Sequence, residues 1–247
     1  GQDTIQQRIQ DALARVTGED AKLHGSGRTD QGVHALAQVA HFDLEAKRAP
    51  ADLRRALNAL LPGAIRVGAL RLAPATFHAR RSAIGKEYRY FIWNDALVPP
   101  FLRHYRTPVA KRLDVATMNA AAQYLRGAHD FAAFTANPNR PVDSTVRQLT
   151  ELRAHRRGRE VIVVARSNGF LYKMVRSLCG LLIRVGEGAV APSLAREKRV
   201  LLKKSLYFFF QLYHLRSACK AVALDIFLPQ AVKKRPRSRL DRLHYDG

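Results

Sequence analysis

Asp30 lies in a short segment bracketed by Gly27 and Gly32, and it follows Arg28 by two residues. Glycine permits backbone conformations that are closed to residues with a Cβ, and it lets the chain approach a ligand closely. A neighbouring guanidinium favours the charged carboxylate, which is the form that a nucleophile or a general base requires. Glycine and aspartate are equally typical of ordinary turns. Spacing alone therefore leaves both a turn and a reactive site open.

Other chemistries fit the residues around Asp30 less well. His24, His34 and His41 do not have the spacing of a standard metal-ligand set. Ser26 lies between glycines, but the string is not the Gly-x-Ser-x-Gly of a nucleophile elbow. The sequence also lacks a Walker loop and a dinucleotide-binding glycine fingerprint. These observations argue against a metal site, a serine hydrolase and a nucleotide-dependent enzyme.

A longer pattern surrounds the same carboxylate. The string Gly27-Arg28-Thr29-Asp30-x-Gly32-Val33-His34-Ala35, followed by Gln38-Val39-Ala40-His41-Phe42, resembles the signature of the tRNA pseudouridine synthase A family. Further matches follow in the family's order: Phe77-His78-Ala79-Arg80 with Ser82-Ala83, Lys86-x-Tyr88-Arg89-Tyr90, Gly127-x-His129-Asp130-Phe131 with Phe134, and Met174-Val175-Arg176 before Gly180. Several separated motifs in the right order are far more specific than one. Ser26 and Gln31 stand where the family usually has alanine.

This resemblance implies an isomerase that converts uridine to pseudouridine in tRNA. The bond from ribose C1′ to N1 is broken and remade to C5 of the same base, so no redox equivalent, metal or small-molecule cofactor is needed. The resemblance further implies a cytoplasmic homodimer with the anticodon stem-loop lying across both subunits, and uridines at tRNA positions 38 to 40 as targets. A second hypothesis stands beside it, namely a non-catalytic RNA-binding relative or a degenerate paralogue of the same family.

The resemblance assigns three catalytic candidates, Asp30, Tyr88 and Arg176. Asp30 would be the nucleophile, and attack on C1′, attack on C6 and a route through a glycal all stay open. Tyr88 matches the family's active-site tyrosine, whose ring could pack on the uracil once the base has left its stack. Arg176 could hold Asp30 ionised. Without the family match, a solvated position on a helix face would be the preferred interpretation of Arg176.

Four more residues are candidate substrate contacts: Arg28, Thr29, His78 and Arg80. Arg28 could pair with Asp30, or insert where the extruded base had been. Arg80 with His78 could contact a phosphate or a ribose, although a single histidine near a strand end is more often packed or exposed. Thr29 belongs to the same motif as Asp30.

The composition independently predicts a polyanionic partner. The 247 residues carry a formal net charge of +22, and the pI is near 10.9. Each phosphate that a basic protein neutralises releases a condensed counterion, so nucleic acid is the expected partner and an acidic membrane surface is the weaker alternative. No apolar run approaches the roughly 20 residues that span a bilayer, and no signal segment begins the chain. These observations predict a soluble, intracellular protein.

Periodicity predicts the elements that position these residues. Helices are indicated over 5–16, 51–61, 115–126 and 171–185, and strands over 39–44, 65–72, 86–94, 146–154 and 160–166. Tyr88, Tyr90 and Ile92 should share one face of their strand, which puts Tyr88 on a rigid element. Asp114 can cap the helix over 115–126, and a turn at Arg157-Gly158 can join the last two strands in a hairpin. Strands interspersed with helices, with this hairpin among them, indicate an α+β fold with a mainly antiparallel sheet.

The family fold would be two α/β halves that flank a basic RNA-binding cleft, with Asp30 at its floor. Pro99-Pro100 indicates a boundary, which predicts an N-terminal half over 1–98, a C-terminal half over 99–192 and a divergent basic tail over 193–247. The family's first strand does not precede the first helix, and its closing strand is not found after about Pro192. The tail is expected to be an added RNA-binding arm, or equally to be disordered or the product of a shifted reading frame or a divergent gene end.

Overall fold

The computed structural model describes residues 4–30, 32–45, 47–136 and 142–196, together with the backbone of Val222–Pro229. Its helices and strands, in chain order, are α1 (Ile5–Thr17), β1 (His24–Gly25), β2 (Ala35–His41), α2 (Pro50–Leu60), β3 (Ile65–Ala73), β4 (Lys86–Trp93), β5 (Thr107–Pro108), α3 (Val115–Leu125), β6 (Gly127–Asp130), β7 (Val146–Arg157), β8 (Glu160–Ser167), α4 (Met174–Gly186) and β9 (Val222–Pro229). Two short 3-10 turns, Pro100–Leu102 and Ala132–Phe134, complete the list.

The chain divides into two compact units. Unit 1 comprises Gly1–Arg28, Ala35–Ser82 and Ala221–Gly247, and unit 2 comprises Thr29–His34 and Ala83–Lys220. The short segment that carries Asp30 therefore belongs to unit 2, although the chain on both sides of it belongs to unit 1.

Unit 1 contains a four-stranded sheet with the strand order β1-β2-β9-β3. Strand β9 is parallel to both of its neighbours, β2 and β3, so this sheet is mixed. Helices α1 and α2 bury Ile9, Leu13, Leu53 and Leu57 in one core with Phe42. The helices follow the predicted apolar spacing, because these positions recur at three or four residues and fall on one face.

Unit 2 contains a five-stranded sheet with the strand order β5-β4-β8-β7-β6. All of its pairings are antiparallel except that of β4 with β5. Asp114 caps α3 by accepting hydrogen bonds from the backbone N–H groups of Ala116 and Thr117, as the sequence predicts. Phe131 and Phe134 are buried in the core of this unit.

Helices α3 and α4 approach each other closely at Gly186, the last residue of α4. A Cβ atom at Gly186 would lie 2.8 Å from Cγ of Met118 and 3.1 Å from Cδ2 of Leu113. Both side chains are almost completely buried. Gly180 lies six residues earlier in the same helix, and a Cβ atom there would meet open space. Because Gly186 has no side chain, the C-terminal end of α4, the helix that carries Arg176, packs closely against α3.

The α+β class is confirmed, and the predicted hairpin is β7 and β8. Two boundaries differ from expectation. The helix predicted over 171–185 begins at Met174 instead, because Lys173 adopts a left-handed φ of 57° that breaks the helical run. The strand predicted over 39–44 lies at Ala35–His41. None of the helices in the described part of the chain is long and apolar enough to cross a membrane.

The chain after Pro192 contains a strand that the sequence pattern did not reveal. Strand β9 lies between β2 and β3, as an inner strand of the sheet of unit 1. The remainder of the predicted tail over 193–247 lies largely outside the described residues. The compact units divide the chain between Ser82 and Ala83, before the Pro99-Pro100 boundary, and the halves over 1–98 and 99–192 stay a prediction.

We expect Gly186→Ala to lower the free energy of unfolding by about 1 to 3 kcal/mol, because the new methyl group overpacks the contact with Met118. Gly180→Ala is the matched control in the same helix. It is expected to raise the free energy of unfolding by about 1 kcal/mol, since alanine is the better helix former and its methyl group meets open space. Chemical denaturation of both variants measures the difference. Equal changes at the two positions would contradict the close approach of α3 and α4.

Candidate active site

The segment Thr29–His34 forms a tight turn around Asp30. The backbone N–H of Val33 donates to the carbonyl oxygen of Asp30 at 3.1 Å. Gly32 has a φ of 81°, in the left-handed region that favours glycine. Gln31 lies outside the described residues. The turn presents the Asp30 side chain with 33% of its surface exposed, so this carboxylate is accessible to a ligand.

Arg176 is the cation that meets Asp30 within unit 2. Its Nη2 atom lies 3.6 Å from Oδ2 of Asp30, and 24% of the arginine side chain is exposed. Arg176 stands in the first turn of α4, whose core-facing residues Leu178 and Leu182 are completely buried. A partly buried ion pair on an anchored helix is screened by solvent less than a surface pair. The ion pair therefore joins the turn of Asp30 to the first turn of α4.

Tyr88 lies beside the same carboxylate. Burial raises the pKa of Tyr88 above its ordinary value, and the negative charge of Asp30 raises it further. The ring of Phe170 meets the ring of Tyr88 edge-on, with centroids 5.1 Å apart and planes at 86°. This arrangement is a favoured geometry for two aromatic rings. Strand β4 and Phe170 together fix where the Tyr88 ring lies.

Strand alternation places Tyr90 on the same face as Tyr88. The Tyr90 hydroxyl lies 2.6 Å from the hydroxyl of Thr107 on the neighbouring strand β5, and burial raises its pKa. Cys179 of α4 is completely buried in the same core, where burial raises the pKa of its thiol. This face of the sheet is therefore packed around Tyr90, and Tyr88 is partly exposed on it.

A comparison of the chain with known protein families identifies its family. The model of the tRNA pseudouridine synthase family matches residues 1–80 and 121–203, which is more than half of the chain. The chain belongs to the tRNA pseudouridine synthase family. The predicted family and its class, isomerase, are thereby confirmed.

Individual relatives named tRNA pseudouridine synthase A support this family assignment. The chain is 45% identical over 197 residues to a tRNA pseudouridine synthase A of Brevibacillus brevis, with 79% of this chain and 80% of the relative covered. It is 44% identical over 193 residues to one of Solidesulfovibrio magneticus, covering 76% and 70%. It is 40% identical over 188 residues to one of Methylacidiphilum infernorum, covering 76% and 74%.

The three candidate catalytic residues of this family member come together in unit 2. Asp30, Tyr88 and Arg176 come from a turn, a strand and a helix that are far apart in the sequence. Thr29 precedes Asp30 in the same turn. Arg28 is exposed and belongs to unit 1. The catalytic roles of the three residues stay predictions, as do the substrate contacts.

His78 and Arg80 lie in a turn of unit 1 that follows β3. The Nδ1 atom of His78 accepts hydrogen bonds from the backbone N–H groups of Arg80 at 3.2 Å and Arg81 at 3.3 Å. His78 therefore shapes the turn, and the Arg80 side chain is exposed. The interpretation of His78 as a packed residue and its interpretation as a substrate contact are compatible, because its Nε2 atom faces away from these bonds.

The rings of three histidines that are far apart in the sequence lie together in unit 1. The ring of His41 lies 5.0 Å from that of His24 and 4.7 Å from that of His78. Burial, and then the nearby His78 and His24, lower the pKa of His41. Its Nδ1 atom accepts a hydrogen bond from the N–H of Ala79 at 3.2 Å. Within the described residues, no group of three or more His, Cys, Asp or Glu side chains could hold a metal ion.

Two residues around the site were not found from the sequence. Phe170 fixes the Tyr88 ring, and its aromatic character was the available signal. Lys173, with a φ of 57°, turns the chain into α4 three residues before Arg176. A non-glycine residue in this conformation is strained, and such strain persists where surrounding packing imposes it. No sequence signal distinguishes this lysine from one inside a helix.

We expect Lys173→Gly to be more stable than Lys173→Ala by about 1 kcal/mol, because glycine adopts the left-handed conformation without a steric penalty. Both variants lose the same side-chain contacts, so their difference reports on the backbone alone. Urea denaturation of the two variants measures it. Equal stability would mean that residue 173 does not hold the left-handed conformation in solution.

We expect Asp30→Asn to lower the pKa of Tyr88 towards its ordinary value without reaching it. The substitution removes the negative charge that raises this pKa and leaves the burial, which is the larger cause. Titration of ¹³Cζ-labelled tyrosine by NMR, with a Tyr88→Phe spectrum for assignment, measures the shift. An unchanged Tyr88 titration in the Asn variant would place the carboxylate outside electrostatic reach of the ring.

Proposed function

We propose that this chain converts uridine to pseudouridine in tRNA, at positions 38 to 40 of the anticodon stem-loop, with Asp30 as the nucleophile. The observation that carries the proposal is the ion pair of Asp30 with Arg176 beside Tyr88. Simple phosphate binding would not require an accessible carboxylate in a chain with a net charge of +22. The relatives of Brevibacillus and Solidesulfovibrio are named tRNA pseudouridine synthase A, which supports tRNA as the substrate.

Asp30 acts in this proposal as a carboxylate nucleophile or base. It attacks C1′ of the ribose, attacks C6 of the uracil, or removes a proton to pass through a glycal. In each route the C1′–N1 bond breaks and a C1′–C5 bond forms, while C5 loses a proton and N1 gains one. The charged form is the reactive one, and the guanidinium of Arg176 favours that form.

Tyr88 receives the base in this proposal. An extruded uracil loses its stacking in the RNA, which costs a few kcal/mol, so a flat partner in the pocket offsets part of this cost. The raised pKa of Tyr88 means that its hydroxyl is protonated at neutral pH. Tyr88 therefore serves as a ring to pack against and as a hydrogen-bond partner near C5, rather than as a phenolate base.

Four further residues are proposed to contact the substrate. Exposed Arg28 and Arg80 supply positive charge for phosphates, with Thr29 and His78 as neighbouring polar groups. The proposal also includes the homodimer, which the family resemblance implies, the cytoplasmic location, and the two halves over 1–98 and 99–192, whose boundary is set by Pro99-Pro100. An RNA-binding relative without catalysis is the competing function.

We expect Asp30→Ala to reduce pseudouridine formation on unmodified tRNA at least about 1,000-fold, because no other group replaces the nucleophile. The dissociation constant for tRNA should change less than about threefold, since most affinity comes from phosphate contacts. Mass spectrometry after carbodiimide labelling measures the product, and filter binding measures the affinity.

Asp11→Ala is the matched control for this experiment, because Asp11 is an exposed carboxylate on α1. It should leave turnover unchanged. Unchanged turnover in Asp30→Ala would refute the nucleophile. A folded, tRNA-binding wild-type chain without turnover would support the non-catalytic relative.

A further inference from the structure

A loop of unit 2 between β4 and β5 exposes three large apolar side chains within nine residues. Leu97 is 82% exposed, Phe101 is 76% exposed and Tyr105 is 50% exposed. Single exposed apolar residues are ordinary on a protein surface, whereas a group of them is typical of a binding site. Two of the three are aromatic, and a flat ring is the side chain on which a nucleobase stacks.

The backbone of this loop is held in place. The indole N–H of Trp93 donates to the carbonyl oxygen of Leu97 at 2.8 Å. Further along, the N–H of Leu102 donates to the carbonyl oxygen of Pro99 and that of Tyr105 to Leu102, each at 2.8 Å. Because the backbone is already fixed, a ligand that meets these rings does not need to order the loop.

Tyr105 touches the segment that carries Asp30. Its ring meets the ring of His34 at a centroid distance of 5.6 Å and an angle of 67°. His34 belongs to Thr29–His34, the same short turn as Asp30, and both partners lie in unit 2. A base bound to Tyr105 would therefore lie close to the pocket of Asp30, as a nucleotide next to the target uridine must.

The charges of the loop fit a nucleic acid. Arg103 and His104 are exposed between the two aromatic residues, and Arg103 Nε donates to Nε2 of His104 at 3.0 Å. Arg106 is engaged otherwise, since it pairs with Glu160 and lies 4.4 Å over the ring of Phe91. Arg103 is thus the arginine of this loop that is placed to meet a phosphate.

We propose that Phe101 and Tyr105 form a second base-binding subsite, on which the nucleotides flanking the target uridine stack while Arg103 contacts the intervening phosphate. This inference rests on the proposed function, because the RNA is its ligand. The subsite accounts for how the neighbours of an extruded base are held when their own stacking partner has left the helix. Stacking on an aromatic ring tolerates any base, so the subsite fixes position rather than sequence.

The test compares ring removal with ring retention. We expect Tyr105→Ala and Phe101→Ala each to raise the dissociation constant for unmodified tRNA about 10-fold, and to raise KM by a similar factor with kcat changed less. Tyr105→Phe keeps the ring, and Leu97→Ala removes an exposed apolar side chain without a π face. Both controls should stay within about twofold of wild type. All three positions are exposed or half-exposed, so the melting temperature should not change in any of the four variants.

A fluorescent base gives a readout that a merely structural role would not move. 2-Aminopurine is placed on either side of the converted uridine. As a control, it is placed across the anticodon loop, where no uridine is converted. Its emission should fall on binding to the wild type and to Tyr105→Phe, because stacking on a ring quenches it, and should stay high with Tyr105→Ala.

Three outcomes would overturn the subsite. The first is unchanged affinity and emission in Tyr105→Ala. The second is an equal loss in Leu97→Ala, which would indicate an apolar docking surface for a protein. The third is an equal loss in Tyr105→Phe, which would assign the effect to the hydroxyl. Failure of the proposed function is distinct, since it would appear as absent pseudouridine in the wild type while binding and emission still respond to the loop variants.

Discussion

The ion pair between Asp30 and Arg176 joins two stretches of chain that are far apart in the sequence. One is a six-residue turn that leaves unit 1, and the other is the first turn of a helix deep in unit 2. A carboxylate with a third of its surface exposed is accessible to a ligand, and the guanidinium of Arg176 lies 3.6 Å from it. The other elements of unit 2 matter to the site chiefly because they determine this distance.

The sheet of unit 2 supplies the fixed frame for that distance. Strand β4 pairs with β8 along its whole length, from Lys86 opposite Ser167 to Trp93 opposite Glu160. Tyr90 packs against the core of unit 2, in which Cys179 and Leu182 of α4 are completely buried, and strand alternation puts Tyr88 on the same face as Tyr90. Reacting groups must be held to within a fraction of an ångström. A fully paired strand and a buried helix meet that requirement better than two loops would.

Local signals in the sequence predicted the elements well. The alternation that put Tyr88 and Tyr90 on one face, the hairpin at Gly158 and the cap at Asp114 depend on neighbouring residues, and each is found. The start of α4 was wrong by three residues, because the left-handed conformation of Lys173 is imposed by packing rather than by its own preference.

Contacts between distant residues were harder to predict. Nothing in the spacing chooses between Arg28 and Arg176 as the partner of Asp30, and only the family resemblance pointed to Arg176. The position of β9 depends on pairing with strands far away in the chain, which a local pattern does not encode. The exposure of Phe101 and Tyr105 likewise depends on what the fold leaves uncovered.

The place of β9 has a consequence for how the protein is made. This strand is one of the two inner strands of the sheet of unit 1, and its first residue, Val222, lies opposite Ala35 and Ile65. During synthesis, the helices and strands described in unit 2 all leave the ribosome before β9 does. The core of unit 2 can therefore fold first. The sheet of unit 1, which packs with α1 and α2, cannot be completed until β9 has been translated. High contact order of this kind slows folding, and the waiting strand edges need protection from aggregation until translation ends.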